Sequence, residues 1–465
     1  MSVSQSATIV TASAPPDAPS LRGRMWRGSL FEVGGYGAQQ ALRLGSNLIL
    51  SRLLFPAAFG LSSIVTLLLT GLVMLTDVAI QPCIIQSPRG DDPDFLNTAF
   101  TLQVLRGFTL AGLMIVLAWP AARFYREPAL THLIQFGALQ LIINGFHSTS
   151  VPTLRRHLRL GWVNGLELGQ TLVALPITLI LARTHRSAWP LVIGMVVSAL
   201  AYAIASHLMP VPYRNRFHWD QSAARELKRF GRWVVGSSAV GFLGWQTDRI
   251  LMGRFLGAAW LGVYAIALNL SDAIGAVVQR LIGSIMYPVL GHAGRDEQSD
   301  VAALYDRMRR KLDLLSMTAT GFLAGVGTWI VHALWDSRYE NAGWILQILC
   351  VRVAIGALVS PGETCLYALG QTQYVFRRSF FRLLGAIVLV SAGWYLDGVI
   401  GVMWGVAATE LFTGLAIWPR LRQLRILHWR RELLAVALFL IALAAGIAVR
   451  HLLPAVHLRP GRMFS

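Results

Sequence analysis

Along its 465 residues this sequence runs apolar, again and again, for long enough to cross a lipid bilayer. A hydrocarbon core of roughly 30 Å takes about 20 residues of helix. Runs of that kind occur near 29–50, 58–81, 96–119, 129–150, 161–183, 188–209, 229–252, 259–285, 312–335, 343–368, 380–396, 398–418 and 433–452. In lipid every backbone N–H and C=O must be bonded within its own segment, so such runs predict a helical bundle. A transmembrane barrel would instead show alternating strands of about 10 residues, and the runs do not alternate. Only 14% of the residues are charged, against about 25% in soluble chains. The expected fold is an all-α polytopic membrane protein with about 12 core transmembrane helices and one C-terminal segment.

The net charge of +18 would suggest nucleic acid on a soluble protein. Here the charge is carried almost wholly by arginines between the apolar runs, which fits the positive-inside rule and excludes nucleic acid as a partner. With the N-terminus in the cytoplasm, most of the arginines fall in inside segments, Arg155, Arg156, Arg214, Arg216, Arg309, Arg378, Arg382, Arg420 and Arg431 among them. The reverse orientation inverts the bias. The expected location is therefore a bacterial inner membrane, with the N-terminus cytoplasmic. Residues 1–27 are rich in Ser, Ala, Thr and Pro and carry no signal-type apolar core, so they are expected as a disordered cytoplasmic tail. Cys83, Cys350 and Cys365 lack metal or disulfide spacing, and no metal or cofactor is implied.

The longest basic loop divides the first twelve runs into two sets of six. The expected organisation is an N-terminal six-helix bundle at 28–209, a cytoplasmic linker at 210–228 and a second six-helix bundle at 229–418. A basic loop, an extra helix and a tail follow at 419–465. A short repeat supports this division. RLLFPAAFG at 52–60 joins runs one and two, and RFLGAAWLG at 254–262 joins runs seven and eight. Six helices do not invert topology, so the halves are expected as bundles related by a pseudo-two-fold along the membrane normal, with a cavity between them suited to alternating access.

Three stretches resemble the polysaccharide transporter, or Wzx-type flippase, family of the multidrug/oligosaccharidyl-lipid/polysaccharide exporter superfamily. They are SRLLFPAAFG at 51–60, IIQSP at 84–88 with NTAF at 97–100, and DRILMGRFLG at 248–257 with LGVYAIA at 261–267. The resemblance implies translocation of an undecaprenyl-diphosphate-linked oligosaccharide, the repeat unit of O-antigen, capsule or exopolysaccharide. It implies as partners that lipid-linked oligosaccharide, membrane lipids and other polysaccharide assembly proteins. Thirteen runs depart from the family's twelve or fourteen spans, which puts in question whether the last run crosses fully.

Charge at the bilayer centre costs several kcal/mol, so intramembrane charges face a cavity or a partner. Arg43 lies mid-run beside Gln39, Gln40 and Asn47, and Gln40, Arg43 and Asn47 share one helical face. With Arg106 and Arg352 they are expected to line a cationic lumen that grips diphosphate oxygens through bidentate guanidinium forks. Asp77, Asp248, Arg249, Asp272, Arg280 and Glu363 are expected in coupling or structural pairs, and Glu410 lies in run twelve. Pro361 is the expected hinge. No P-loop is present, so ATP is not the direct energy source. Two rival readings are a membrane glycan polymerase or ligase, and a drug or ion exporter of the same superfamily. The first usually needs a sizeable loop outside the membrane, and all such loops are short. The second binds cations, against the basic set of intramembrane residues.

Overall fold

The computed structural model describes residue 37 and residues 39–76, 80–157, 159–294 and 300–453, with the backbone alone over 228–240 and at 284. The chain is a helical membrane protein of two lobes. The first lobe begins with α1 (39–53), α2 (Pro56–Leu75) and the short α3 (Ile80–Gln86). It continues with α4 (Pro93–Tyr125), α5 (Leu130–Gly145), the short α6 (Ser150–Arg156), α7 (Leu160–Thr184) and α8 (Trp189–His207). The second lobe holds α9 (Gln221–Phe255), α10 (Gly257–Leu281), α11 (Tyr287–Ala293), α12 (Val301–Leu334) and α13 (Ala342–Ala368). It ends with α14 (Thr372–Gly385), α15 (Ser391–Gly414), α16 (Trp418–Gln423) and α17 (Trp429–Leu452). Among the described residues, nine helical stretches are long and apolar enough to cross a membrane. Large apolar side chains such as Val116, Trp119, Leu434 and Ile441 stand exposed on the outer surface, as lipid contact requires.

Local chemistry sets the boundaries. Prolines open α2 and α4, where the missing N–H is one of the unpaired donors of a first turn. Asp92, Asp220 and Asp300 cap α4, α9 and α12 by accepting backbone N–H bonds. Runs eleven and twelve are one helical stretch broken at Asp397 and Gly398, where Gly398 takes φ +53. The chain folds back there so tightly that a Cβ on Gly393 or Gly401 would overlap the other's carbonyl oxygen. The final run is a full 24-residue helix that packs along α12. Gly321 and Gly325 of α12 lie against the backbone of α17 around Phe439, Leu443 and Gly446, the small-residue packing that joins helices in lipid.

The lobes meet across a seam built by the repeat. A Cβ on Gly60 would overlap the Ala258 carbonyl oxygen, and one on Gly262 would overlap the Pro56 carbonyl oxygen. Pro56 and Ala258 hold the same place in the two copies, as do Gly60 and Gly262, so each copy docks on the other about a local two-fold. The two arginines continue the pattern. Arg52 donates to the Leu334 carbonyl at 3.3 Å, and Arg254 lies 5.7 Å from the Phe124 ring. Each thereby reaches the end of the other lobe's third long helix. Tyr339 closes the seam by donating to the Leu54 carbonyl at 3.0 Å.

At the other end of the bundle lie the basic segments. The stretch 210–228 is helical from Gln221, and its extended part is bonded to the first lobe. Arg216, His218 and Asp220 donate backbone N–H groups to Asn97, Thr101 and Thr98, and Asn215 donates to Thr149 at 2.6 Å. Hydrogen bonds from Ser222 and Arg89 hold the Asp220 carboxyl well below the usual carboxylate range. Asp220→Ala removes the α9 cap and the Arg89 partner together. It should raise the rate of protease cleavage within 210–220 several-fold while leaving the membrane helices intact, as limited proteolysis followed by mass spectrometry would read.

Candidate functional site

The face of α1 that lines the interior is Gln39, Arg43, Ser46 and Leu50, a spacing of three to four residues on a 3.6-residue helix. This corrects the expected face: Gln40 and Asn47 are half-buried and line neither cavity described below. The helix is rotated so that Ser46, in place of Asn47, follows Arg43 inward.

Two cavities share this face. The larger, about 580 Å³, lies within the first lobe between α1, α5, α7 and α8. Its lining mixes polar side chains, Gln140, Asn144, Gln170 and Ser198 among them, with apolar ones such as Leu50, Leu175, Leu191 and Met195; among the described residues Arg43 lines it and no carboxylate does. The smaller, about 190 Å³, lies at the basic end and takes residues from both lobes: Gln39, Arg155, Asn164 and Glu167 from the first, Arg280 from the second. Arg155 bridges Glu167 at 2.9 Å. Between the cavities Arg43 reaches across the lobe boundary and donates to Asn269 of α10 at 3.2 Å. The interior is thus sealed at the repeat and carries three arginines, Arg43, Arg155 and Arg280, toward the basic end.

Most of the other intramembrane charges are held in pairs. Arg352, only 11% exposed, donates to Asp272 at 2.5 Å. Asp248 accepts from the Tyr264 hydroxyl at 2.5 Å and from the Arg249 backbone at 2.8 Å, while Arg249 is half-buried. Glu363 pairs with Arg378. Glu410 accepts from Arg382 at 2.8 Å and lies 3.5 Å from Arg378. The Arg382 guanidinium also sits 3.9 Å from the Trp245 ring. Sequence reasoning placed Arg378 and Arg382 in a basic loop. They lie on α14, both about 5% exposed, because two buried glutamates and an indole face take up their charge. Their spacing of four residues beside an apolar run is the signal that could have found them.

Arg106 stands apart from both cavities. It donates to the Val73 carbonyl at 2.6 Å and to the Thr76 hydroxyl at 3.2 Å, tying down the end of α2. Asp77 lies outside the described residues. Pro361 is buried inside α13, which runs unbroken through it. The irregular turns are elsewhere: π-helical segments at Ile282–Met286, just past Arg280, and at Ala386–Val390, beside the Arg382–Glu410 pair. Such segments mark functional sites often enough to matter, and nothing in the apolar pattern announces them. A last buried cluster joins α12 to α17, with Arg309 bonded to Asp313 at 2.7 Å and to Glu432 at 3.0 Å.

Two helical lobes, a two-fold seam at one end and a polar interior at the other define a membrane transporter fold. Solved structures agree. The lipid II flippase MurJ, in its inward closed conformation, superposes with a TM-score of 0.73 over 91% of this chain and 92% of that one, at 11% identity. An inward-facing multidrug transporter of the MATE family superposes with a TM-score of 0.65 over 83% and 95% of the two chains, at 12% identity. Residues 49–343 match the family described as polysaccharide biosynthesis protein, and the chain belongs to that family. Lipopolysaccharide biosynthesis protein WzxC of Escherichia coli is 20% identical over 78% of this chain and 74% of its own length. Succinoglycan biosynthesis transport protein ExoT of Rhizobium meliloti is 23% identical over 75% and 70%. The chain is a multi-pass membrane protein of polysaccharide biosynthesis and transport, and not an enzyme.

Proposed function

We propose that this protein moves an undecaprenyl-diphosphate-linked oligosaccharide, a surface or secreted polysaccharide repeat unit, from the inner to the outer leaflet of a bacterial inner membrane by alternating access. The observation that carries the reading is the cationic interior, Arg43, Arg155 and Arg280, sealed at one end and lined by both lobes at the other. A diphosphate is an anion for which arginine forks are the natural partner. A cation exporter would be poorly served by that interior. The fold it shares with a lipid II flippase and its polysaccharide family support the same reading.

In this proposal the basic end is cytoplasmic, the N-terminus is inside and the present conformation is open inward. The two bundles, 28–209 and 229–418, rock about the repeat seam, with the π-helical segments as the yielding points. The second-lobe network of Asp272, Arg352, Glu363, Arg378, Arg382 and Glu410 either couples an ion or holds the lobe rigid, and Asp248 and Arg249 belong with it.

A deletion strain tests the function. It should lose the polysaccharide and accumulate lipid-linked repeat units whose glycan faces the cytoplasm; normal polysaccharide in a strain with no second transporter overturns the proposal. Reporter fusions test the orientation. Those after Arg216 and Arg378 should report cytoplasm, and those after Ala57 and Asn341 periplasm. A periplasmic signal from 210–225 overturns the orientation.

A further inference from the structure

The cleft at the basic end contains a group that a cationic diphosphate site does not need. Among the described residues Glu167 is the one carboxylate that lines either interior cavity. It stands in the space where a diphosphate would sit, and there its charge repels that substrate. Both it and its partner face that space: the Glu167 side chain is 29% exposed and that of Arg155 is 41% exposed.

The two arginines in the last turn of α6 are held in different ways. Arg156 donates to Asp91 at 3.0 Å and to the Ile84, Ile85 and Ser87 carbonyls at 2.9, 2.9 and 2.7 Å. Its guanidinium is occupied and ties α6 to α3. Arg155 makes one bond among the described residues, from Nη2 to Glu167 Oε1 at 2.9 Å, and Glu167 lies two turns into α7. A one-point contact between exposed side chains on separate helices is weak. A phosphate takes two parallel N–H bonds from the same guanidinium and carries more charge than a carboxylate, so it displaces Glu167. Gln39, Asn164 and Arg280 line the same cleft of about 190 Å³. The displaced carboxylate stays on α7 beside the anion, raises its energy there, and recovers Arg155 as soon as the anion moves off.

We propose that Glu167 is a resident competitor of the substrate diphosphate for Arg155. It holds that guanidinium in the empty protein, yields it when the anion enters, and takes it back to speed release. The proposal rests on the flippase reading above. Glu167 acts through Arg155 and is a positioning residue, so its removal tightens binding and slows turnover together.

The test measures binding of radiolabelled undecaprenyl diphosphate to the purified protein in detergent, with its dissociation followed by a chase of unlabelled lipid. Glu167→Gln should bind the probe about fivefold more tightly, the effect of removing one like charge at contact distance in a hydrated site. The gain should lie in slower dissociation. Glu167→Ala, which also lacks the charge, should match it. A strain carrying either variant as its only copy should make less polysaccharide. Arg155→Ala should weaken binding about tenfold, through loss of a charge-assisted fork, and in that background Glu167→Gln should no longer tighten it. Unchanged or weaker binding by both Glu167 variants overturns the proposal and leaves the flippase reading standing, because a carboxylate that merely supports Arg155 gives that result. Tightening that persists without Arg155 overturns it as well, and so does tighter binding with polysaccharide at its normal level. Failure of the unsubstituted protein to bind the probe overturns the flippase reading, and this proposal with it.

Discussion

Gly262→Val is expected to leave the chain inserted at normal levels and to reduce transport at least tenfold. The Cβ of any residue at 262 would overlap the Pro56 carbonyl oxygen, and the same holds at Gly60 against Ala258. Carbon and oxygen settle no closer than about 3.3 Å even in a favourable contact, so the two helices must separate. Overpacking of this kind costs about 1–3 kcal/mol. That cost falls only on the conformation in which the seam is closed, and a bias of 1–3 kcal/mol shifts a two-state equilibrium by about 5–150-fold. A transporter that cannot close one face cannot complete its cycle. The seam can be watched with cysteines at Phe55 and Arg338, whose side chains meet across it at 5.0 Å. The three native cysteines are buried. Cross-linking of the pair should be efficient in the otherwise unchanged chain and largely lost with Gly262→Val. Unchanged cross-linking together with normal transport would show that the seam does not govern the cycle.

Glu410→Ala is expected to have the largest effect on the protein itself. Glu410 is buried and takes hydrogen-bonded or ionic contact from both Arg382 and Arg378, each about 5% exposed. Its removal leaves two guanidinium groups in low dielectric, one of them, Arg382, with no other carboxylate in contact among the described residues. Breaking a buried pair costs about 3–5 kcal/mol, enough to remove most of the folded protein. Glu410→Met combined with Arg382→Met removes both charges of one pair and should recover much of the loss, because a buried ion pair replaced by apolar groups is often neutral or stabilising. Arg352→Ala is milder, since the partner it strands, Asp272, is 48% exposed in its side chain and can be hydrated. Arg43→Ala stands at the far end of this series, with normal protein and lost transport, because its side-chain partner among the described residues is the neutral Asn269. Size-exclusion profiles of detergent extracts would rank the four variants. A Glu410→Ala profile as strong as that of Arg43→Ala would mean that the second-lobe network carries no structural load.

Much of this architecture was legible in the sequence because lipid leaves so few options. A run of about 20 apolar residues has to be a helix, and over the described residues the runs recur as helices in the structure. The repeat at Arg52 and Arg254 was legible as a pattern. Its meaning was not, because a sequence match does not say that Gly60 docks on Ala258 and Gly262 on Pro56. The site was legible to the extent that single residues announce themselves. Arg43 and Arg352 stood out as charges inside apolar runs. Arg378, Arg382 and Arg309 did not, because charges near the end of a run look the same whether they meet water or a buried carboxylate. Arg155 and Arg280 were counted as loop or paired charges, and only the convergence of α6, α7 and α10 brings them to one cleft. The α1 face was misjudged by one position, Ser46 for Asn47, because a short polar cluster fits more than one rotation of a helix. The π-helical segments left no trace in composition.

Reconstitution tests the central claim most directly. Purified protein in liposomes loaded on one leaflet with undecaprenyl-diphosphate-linked repeat unit should expose the glycan to a glycosidase on the opposite side far faster than empty liposomes do. Arg43→Ala liposomes should behave as empty ones. Exposure at the empty-liposome rate with the unsubstituted protein, from either leaflet and with an ion gradient of either sign, would contradict the account.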